Sequence, residues 1–204
     1  MITGLYAITP DEQNTDVLMA KAEAALQGGI KMLQYRNKLA NNKLQTQQAR
    51  ALLALCRQYH VPLIINDSIT LCLTLDADGV HLGADDGNLS EARVKLGANK
   101  IMGASCYNRF DLAVLAQQAG ADYVAFGACF ASSTKPNAAV AGLDLFTRAK
   151  SELTIPSVGI GGITLKNASS VISAGANAIA VINAIFSAED VKLTTQQFTK
   201  LFIL

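Results

Sequence analysis

Eight short apolar runs, separated by helical patterns, constrain the fold of this chain more than any other feature. The runs cover residues 5–8, 32–35, 63–65, 79–82, 101–104, 123–126, 157–160 and 178–182. Strands that are apolar on both faces are typical of parallel sheets covered by helices. Between the runs, helical periodicity is clearest over residues 17–27, 44–59, 112–119 and 167–173. The chain therefore alternates strand and helix along its length, which indicates the α/β class.

A weak internal repeat supports this reading. A helix end, a glycine and a new apolar run follow one another at Gly28-Gly29, at Gly120 and at Gly175, with a looser copy around Asp76. A glycine at such a point can adopt the left-handed conformation that ends a helix. We therefore predict a single (β/α)8 TIM barrel of parallel strands, with residues 1–204 forming one domain, near the lower size limit of that fold. An open doubly wound sheet is the structural alternative, although no GxGxxG motif follows the first run.

Charge and composition restrict the partners. With 17 basic and 16 acidic residues, the chain carries a net charge of +1 and offers no field of one sign, which argues against nucleic acid. The N-terminus lacks the pattern of a signal peptide, and no apolar stretch approaches the roughly 18 residues of a membrane span. We expect a cytoplasmic protein that binds small molecules, and an oligomer is compatible with this.

The cysteines and histidines do not suggest a metal centre. Neither His60 nor His81 lies in a metal-binding pattern. The cysteines form no CxxC pair, so we interpret them as small core residues in a reducing compartment rather than as disulfides or zinc ligands; they are Cys56, Cys72, Cys106 and Cys129.

Two aspartates follow neighbouring strands at the end where barrel enzymes place their sites. Asp67 follows the third run and Asp86 follows the fourth. Mg²⁺ binds to one or two carboxylates together with water and phosphate oxygens, so this pair predicts a magnesium site. The alternative is that Asp67 caps the helix beginning at Ser68, and that Asp85 or Asp86 lies in a turn.

Further polar groups follow the other strands. Alternation places Gln34, Arg36 and Lys38 on one side if the second strand continues, which would suit a diphosphate, although a solvated basic turn is an equal alternative. The glycines after the seventh run could form a phosphate-binding turn, or could serve helix packing. The remaining candidates are Ser105 after the fifth run, Ser132, Thr134 and Lys135 in the long loop 128–142, Gly162 after the seventh run, and Ile182 and Asn183 at the end of the eighth.

These motifs, in this order and spacing, resemble the thiamine phosphate synthase family over nearly the whole chain. The matching phrases are QxRxK at 34–38, IND at 65–67, GVHLGxxD at 79–86, TK at 134–135 and IGGI at 160–163. The resemblance implies a magnesium-dependent transfer that joins hydroxymethylpyrimidine diphosphate to thiazole phosphate and releases pyrophosphate.

The resemblance also implies a role for each site residue. The pyrimidine diphosphate would be bound by Gln34, Arg36, Lys38, Asn66, Ser105 and Lys135, of which Arg36, Lys38, Ser105 and Lys135 are the catalytic candidates. Magnesium would be held by Asp67 and Asp86. The thiazole phosphate would be bound by Ser132, Thr134, Gly162 and the backbone of Ile182 and Asn183. A related thiazole tautomerase, which is an isomerase, and a non-catalytic barrel that binds phosphorylated ligands are the two functional alternatives.

Overall fold

A computed structural model describes residues 2–83, 86–131 and 141–203. The strands are β1 Gly4–Ile8, β2 Met32–Tyr35, β3 Leu63–Asn66, β4 Gly79–Leu82, β5 Ile101–Tyr107, β6 Tyr123–Phe126, β7 Ser157–Ile160 and β8 Ala178–Val181. The helices are α1 Thr15–Gln27, α2 Asn42–Gln58, α3 Ile69–Leu75, α4 Leu89–Leu96, α5 Phe110–Gln118, α6 Asp144–Glu152, α7 Ala168–Ser173, α8 Asn183–Phe186 and α9 Val191–Lys200.

The strands form a closed parallel barrel in chain order. Each strand pairs with the next, and β8 returns to β1, where Ala178 lies opposite Gly4. The (β/α)8 prediction is confirmed, and the open doubly wound sheet is wrong because a closed sheet has no edge strand.

The predicted turn glycines take the left-handed conformation where a helix gives way to a strand. Gly29, Gly120 and Gly175 have φ values of 94°, 86° and 112°. In the looser copy, Asp76 adopts this conformation instead, with φ 53°. Asp and Asn tolerate it better than most residues, because their short polar side chains bond locally.

Apolar side chains fill two layers. Inside the barrel lies a cluster that includes Tyr6, Met32, Ile64 and Tyr123, and a larger cluster fills the space between the strands and the helices. All four cysteines are buried, unbridged members of the larger cluster, as predicted. Among the described residues, no helix combines the length and the apolar character needed to cross a membrane.

Two predicted strand ends are wrong in ways that affect the site. β5 continues to Tyr107, so Ser105 lies within the strand and not after it, because β5 stays paired with β6 across a register shift. β8 ends at Val181, and Ile182 turns out of the sheet with φ −113° and ψ −90° as the cap of α8.

Candidate active site at the carboxyl end of the barrel

Asp67 is held at the end of β3 by its backbone. Its N–H donates to the carbonyl of His81 on β4 at 2.9 Å, and its φ of 61° turns the chain sharply. The hydroxyl of Ser68, and not the carboxylate of Asp67, caps α3 by accepting the N–H of Leu71 at 3.1 Å. The alternative that Asp67 is a helix cap is therefore wrong, because its carboxylate does not cap α3.

Asp86 approaches Asp67 from the neighbouring strand end. Its Oδ2 accepts the backbone N–H of Gly83 at 2.6 Å, which fixes the carboxylate over the end of β4. The two carboxyl groups lie in hydrogen-bonding contact, and Lys38 Nζ lies 3.4 Å from Asp67 Oδ2. Partial burial raises the pKa of Asp67, the neighbouring Asp86 raises it further, and Lys38 lowers it.

This pair of carboxylates fits a hard cation. Two half-buried carboxylates in contact repel each other when both are ionised, and a divalent cation would relieve that repulsion. Across residues 2–83, 86–131 and 141–203, no group of three or more His, Cys, Asp and Glu side chains is arranged for a metal. A two-carboxylate site suits Mg²⁺, which keeps water and phosphate oxygens as its other ligands, better than it suits zinc.

The basic segment after β2 does not continue the strand. β2 ends at Tyr35, so Gln34, Arg36 and Lys38 do not share one strand face as predicted. Gln34 points into the barrel, is 2% exposed, and donates to the hydroxyl of Tyr6 at 2.6 Å. The two cations instead follow an irregular segment that leads to the rim.

Asp11, after β1, contacts the side chain of Arg36 and the backbone of Lys38. Its carboxylate lies 3.0 Å from the Arg36 guanidinium and also accepts the backbone N–H of Lys38 at 2.5 Å. Thr9 fixes the backbone of Arg36. Its hydroxyl accepts the Arg36 N–H at 2.8 Å and donates to the Arg36 carbonyl at 2.9 Å. Arg36 and Lys38 each face a carboxylate, but Lys38 is 58% exposed, so the alternative of a solvated basic turn stays open for these residues. Such partly exposed pairs contribute only about 0–1 kcal/mol, so an anionic ligand can compete for the cations.

A buried amide pair supports this segment from below. Asn37, 4% exposed, donates to the Glu12 carbonyl at 2.7 Å and to Gln48 Oε1 at 3.0 Å, and Gln48 also accepts the hydroxyl of Tyr35 at 2.9 Å. Gln48 lies on α2, outside the basic motif, so the sequence did not indicate that it supports this segment.

Asn66 and Ser105 belong to the inward-facing positions of β3 and β5. Asn66 pairs with His81 in the sheet register, and Ser105 Oγ lies 2.9 Å from His81 Nε2. Burial lowers the pKa of His81 to about 4, so its imidazole is neutral near pH 7. The sequence analysis did not recognise His81; the available signal was a polar residue at an inward position of an otherwise apolar run.

The turn after β7 can be built only from glycine. Gly161 and Gly162 have φ values of 95° and 66°, and a Cβ on Gly162 would lie 2.6 Å from the Phe130 carbonyl oxygen. A Cβ on Gly161 would lie 2.6 Å from the Cβ of Ala128. Asn167 closes the turn by donating to the Gly162 carbonyl at 3.0 Å. The loop before residue 132 packs directly against this turn, and the Phe130 N–H donates to the Gly161 carbonyl at 3.1 Å.

The end of β8 supplies the last part of the rim. Ile182 caps the short helix α8, Asn183 is its exposed first residue, and Lys21 Nζ bonds the Phe186 carbonyl at its end at 2.9 Å. The other three predicted site residues, Ser132, Thr134 and Lys135, lie outside the described residues.

The carboxyl end of this closed parallel barrel carries two adjacent carboxylates, two cations and a glycine turn. This combination is typical of the (β/α)8-barrel enzymes that act on phosphorylated small molecules. Comparison with known proteins agrees. The family model described as thiamine monophosphate synthase matches residues 5–185. The chain belongs to this family, which gives it the function of a thiamine-phosphate synthase, an enzyme of the transferase type in thiamine biosynthesis.

Individual relatives align with the chain over most of their length. The chain is 57% identical to a thiamine-phosphate synthase of Methylobacillus flagellatus, with 98% of this chain and 96% of the relative aligned. It is 52% identical to a thiamine-phosphate synthase of Nitrosospira multiformis, with 98% and 86% aligned. Among solved structures, a thiamine phosphate pyrophosphorylase from Pyrococcus furiosus superposes with a TM-score of 0.88 at 34% identity, covering 98% of this chain and 95% of that one.

Proposed function

We propose that this enzyme joins hydroxymethylpyrimidine diphosphate to thiazole phosphate in a magnesium-dependent reaction, as one barrel domain in the cytoplasm. The observation that carries the proposal is the contact between the Asp67 and Asp86 carboxylates beside Lys38. A diphosphate and a divalent cation bind to such a set of opposed charges more readily than a neutral ligand does.

Asp67 and Asp86 would hold the cation. The raised pKa of Asp67 supports this role, because it reflects a carboxylate whose ionised form needs a positive partner. When bound, Mg²⁺ would neutralise charge on the leaving pyrophosphate and shield it from the two carboxylates.

Arg36 and Lys38 would bind the diphosphate, with Lys135 as a third cation. Arg36 offers a planar fork to two phosphate oxygens, and Lys38 offers a point charge. Before the substrate arrives, Asp11 holds the Arg36 guanidinium and the Lys38 backbone, and Asp67 faces the Lys38 ammonium, so less ordering is needed on binding. Gln34, Asn66 and Ser105, at inward-facing positions, would contact the pyrimidine diphosphate from inside the barrel mouth.

The thiazole phosphate would bind on the opposite side of the rim. The bare backbone around Gly162 and the backbone N–H groups at Ile182 and Asn183 suit phosphate oxygens, with hydroxyl groups from Ser132 and Thr134. The steric contacts that forbid a Cβ at Gly162 support this, because they keep a side chain out of the turn.

The chemistry requires no protein nucleophile. The C–O bond to pyrophosphate breaks, the electron pair leaves with the pyrophosphate, and the aminopyrimidine ring stabilises the methylene cation that remains. The thiazole nitrogen then donates its lone pair to this carbon, which forms the C–N bond of thiamine phosphate. The protein contributes by neutralising the leaving group and by excluding water from the cation.

An assay with both substrates separates this proposal from its alternatives. We expect thiamine phosphate and pyrophosphate to appear in equal amounts with Mg²⁺, and neither to appear with EDTA. Isomerisation of the thiazole without pyrophosphate release would favour the tautomerase. Saturable binding without turnover would favour a non-catalytic barrel.

A further inference from the structure

A row of hydrogen-bonding side chains crosses the interior of the barrel. Gln34 Nε2 lies 2.6 Å from the Tyr6 hydroxyl, which lies 2.9 Å from the Tyr123 hydroxyl. That hydroxyl lies 2.9 Å from His81 Nδ1, and His81 Nε2 lies 2.9 Å from Ser105 Oγ. β1 and β6 are not neighbours in the barrel, so the contact between the two tyrosines passes through its centre. The row joins two residues, Gln34 and Ser105, to which the proposed function gives substrate contacts.

The proton count gives this row a direction. The amide nitrogen of Gln34 can only donate, and among the described residues Tyr123 is the other hydrogen-bond partner of the Tyr6 hydroxyl. Donation from Tyr6 to Tyr123 is therefore the arrangement in which the buried Tyr6 proton has an acceptor. Tyr123 then donates its own proton to Nδ1 of His81. A neutral imidazole has one N–H, which must be on Nε2 and is donated to Ser105.

Burial keeps each member neutral, as the count requires. Tyr6, Tyr123 and His81 are all buried. Desolvation raises the pKa of both phenols. Both ring nitrogens of buried His81 face neutral hydroxyl groups, those of Tyr123 and Ser105, and neither hydroxyl would compensate the charge of an imidazolium.

We propose that His81 is a positioning residue that fixes the direction in which Ser105 uses its hydroxyl group. Because Ser105 Oγ accepts from His81, its own proton points away from the barrel core and is available for an acceptor on the pyrimidine diphosphate. In the opposite direction, with Gln34 turned to accept from Tyr6, Ser105 would donate to His81 and offer the substrate only lone pairs. A diphosphate has only acceptors at neutral pH, so the first direction is the productive one.

The tautomer of His81 can be measured without substrate. The chain has two histidines, and His60 is exposed with φ 55°, a conformation that asparagine tolerates. In a His60→Asn protein with ¹⁵N-labelled histidine, long-range ¹H–¹⁵N NMR reports His81 alone. We expect a protonated Nε2 and a bare Nδ1 at pH 7. A protonated Nδ1 would overturn the proposal. In Tyr123→Phe, which removes the donor to Nδ1, we expect the tautomers to mix.

Kinetics of two amide variants tests the consequence for Ser105. The side-chain nitrogen of His81→Gln can reach the position of Nε2 and donate to Ser105, whereas that of His81→Asn can replace only Nδ1. We expect kcat to fall about tenfold or more in His81→Asn, with substantial recovery in His81→Gln and an unchanged KM for the thiazole phosphate. Equal kcat values in variants of equal stability would refute the positioning role.

This inference rests on the proposed function, but different results would reject the function and the role of His81. Absence of thiamine phosphate formation by the unaltered enzyme would reject the function and leave the tautomer as measured. The wrong tautomer in an active enzyme would reject only the role of His81.

Discussion

Replacing Gly162 by alanine tests whether the turn after β7 binds phosphate, and Gly97 provides a control for backbone strain. Both glycines have positive φ, at 66° and 72°, so an alanine at either position is strained by about 1–3 kcal/mol, and Gly97, with ψ −176°, has a conformation that is essentially restricted to glycine. A Cβ on Gly97 would meet nothing within 4 Å, whereas one on Gly162 would lie 2.6 Å from the Phe130 carbonyl oxygen and 2.9 Å from that of Ala131.

The losses of stability and of phosphate affinity expected in Gly162→Ala can be estimated from these contacts. The Phe130 contact is about 0.8 Å shorter than ordinary contact, and backbone cannot rotate away as a side chain can, so the loop must move. Such overpacking costs about 1–3 kcal/mol in addition to the backbone strain. A hydrogen bond to a charged phosphate contributes about 1.5–3 kcal/mol, so losing one through the shift should raise KM for the thiazole phosphate about 10- to 150-fold.

Urea denaturation and steady-state kinetics would measure both effects. We expect both variants to lose stability, Gly97→Ala to keep normal kinetics, and Gly162→Ala to lose affinity for the thiazole phosphate as well. An unchanged KM in Gly162→Ala would refute the phosphate role. Unchanged stability in Gly162→Ala would refute the close approach of the loops.

Three further predictions follow from the same contacts. Because the folded state raises the pKa of Asp67, the folded protein holds that proton more tightly than the unfolded chain does, so stability in EDTA should fall as pH rises through the raised pKa. Urea midpoints against pH should show this slope in the unaltered protein and lack it in Asp67→Asn. Lys38→Met should lower kcat/KM for the pyrimidine diphosphate about tenfold or more, and unchanged kinetics would count against the diphosphate role. Its free energy of unfolding should change by less than about 1 kcal/mol, because the Lys38–Asp67 pair is partly exposed. Gly103→Ala should strongly destabilise the barrel, since its Cβ would lie 2.0 Å from Tyr123 Cζ, and an unchanged Tm would contradict that packing.

The barrel was predictable because its determinants are local. Strands apolar on both faces require cover on both sides, and turn glycines such as Gly120 mark where each helix ends. The rim carboxylates were predictable for the same reason, since Asp67 and Asp86 each follow a strand whose end the sequence locates.

The errors arose where the backbone pairing and the apolar run end at different residues. Ser105 is polar and was placed after β5, but the backbone there continues to pair with β6 regardless of its side chain. Ile182 is apolar and was placed within β8, but its backbone has already turned to cap α8. Hydrophobicity reports burial, and it does not report where a ladder of backbone hydrogen bonds ends.

The interior hydrogen-bond row could not be predicted because its members come from five different strands. Nothing in the spacing of Gln34, His81 and Tyr123 indicates that they meet. Their inward alternation is visible in the sequence, but the partners depend on which strands face one another across the closed barrel. Asp11 is comparable, because its contacts with the basic segment form only once β1 and β2 are paired.

The central claim is that Asp67 and Asp86 together hold the divalent cation that accompanies the diphosphate. Electron paramagnetic resonance of Mn²⁺, which binds to oxygen ligands as Mg²⁺ does, can count bound ions in the presence of pyrophosphate. We predict one site per chain in the unaltered protein and its loss in both Asp67→Asn and Asp86→Asn. An undiminished Mn²⁺ site in either variant would contradict the account.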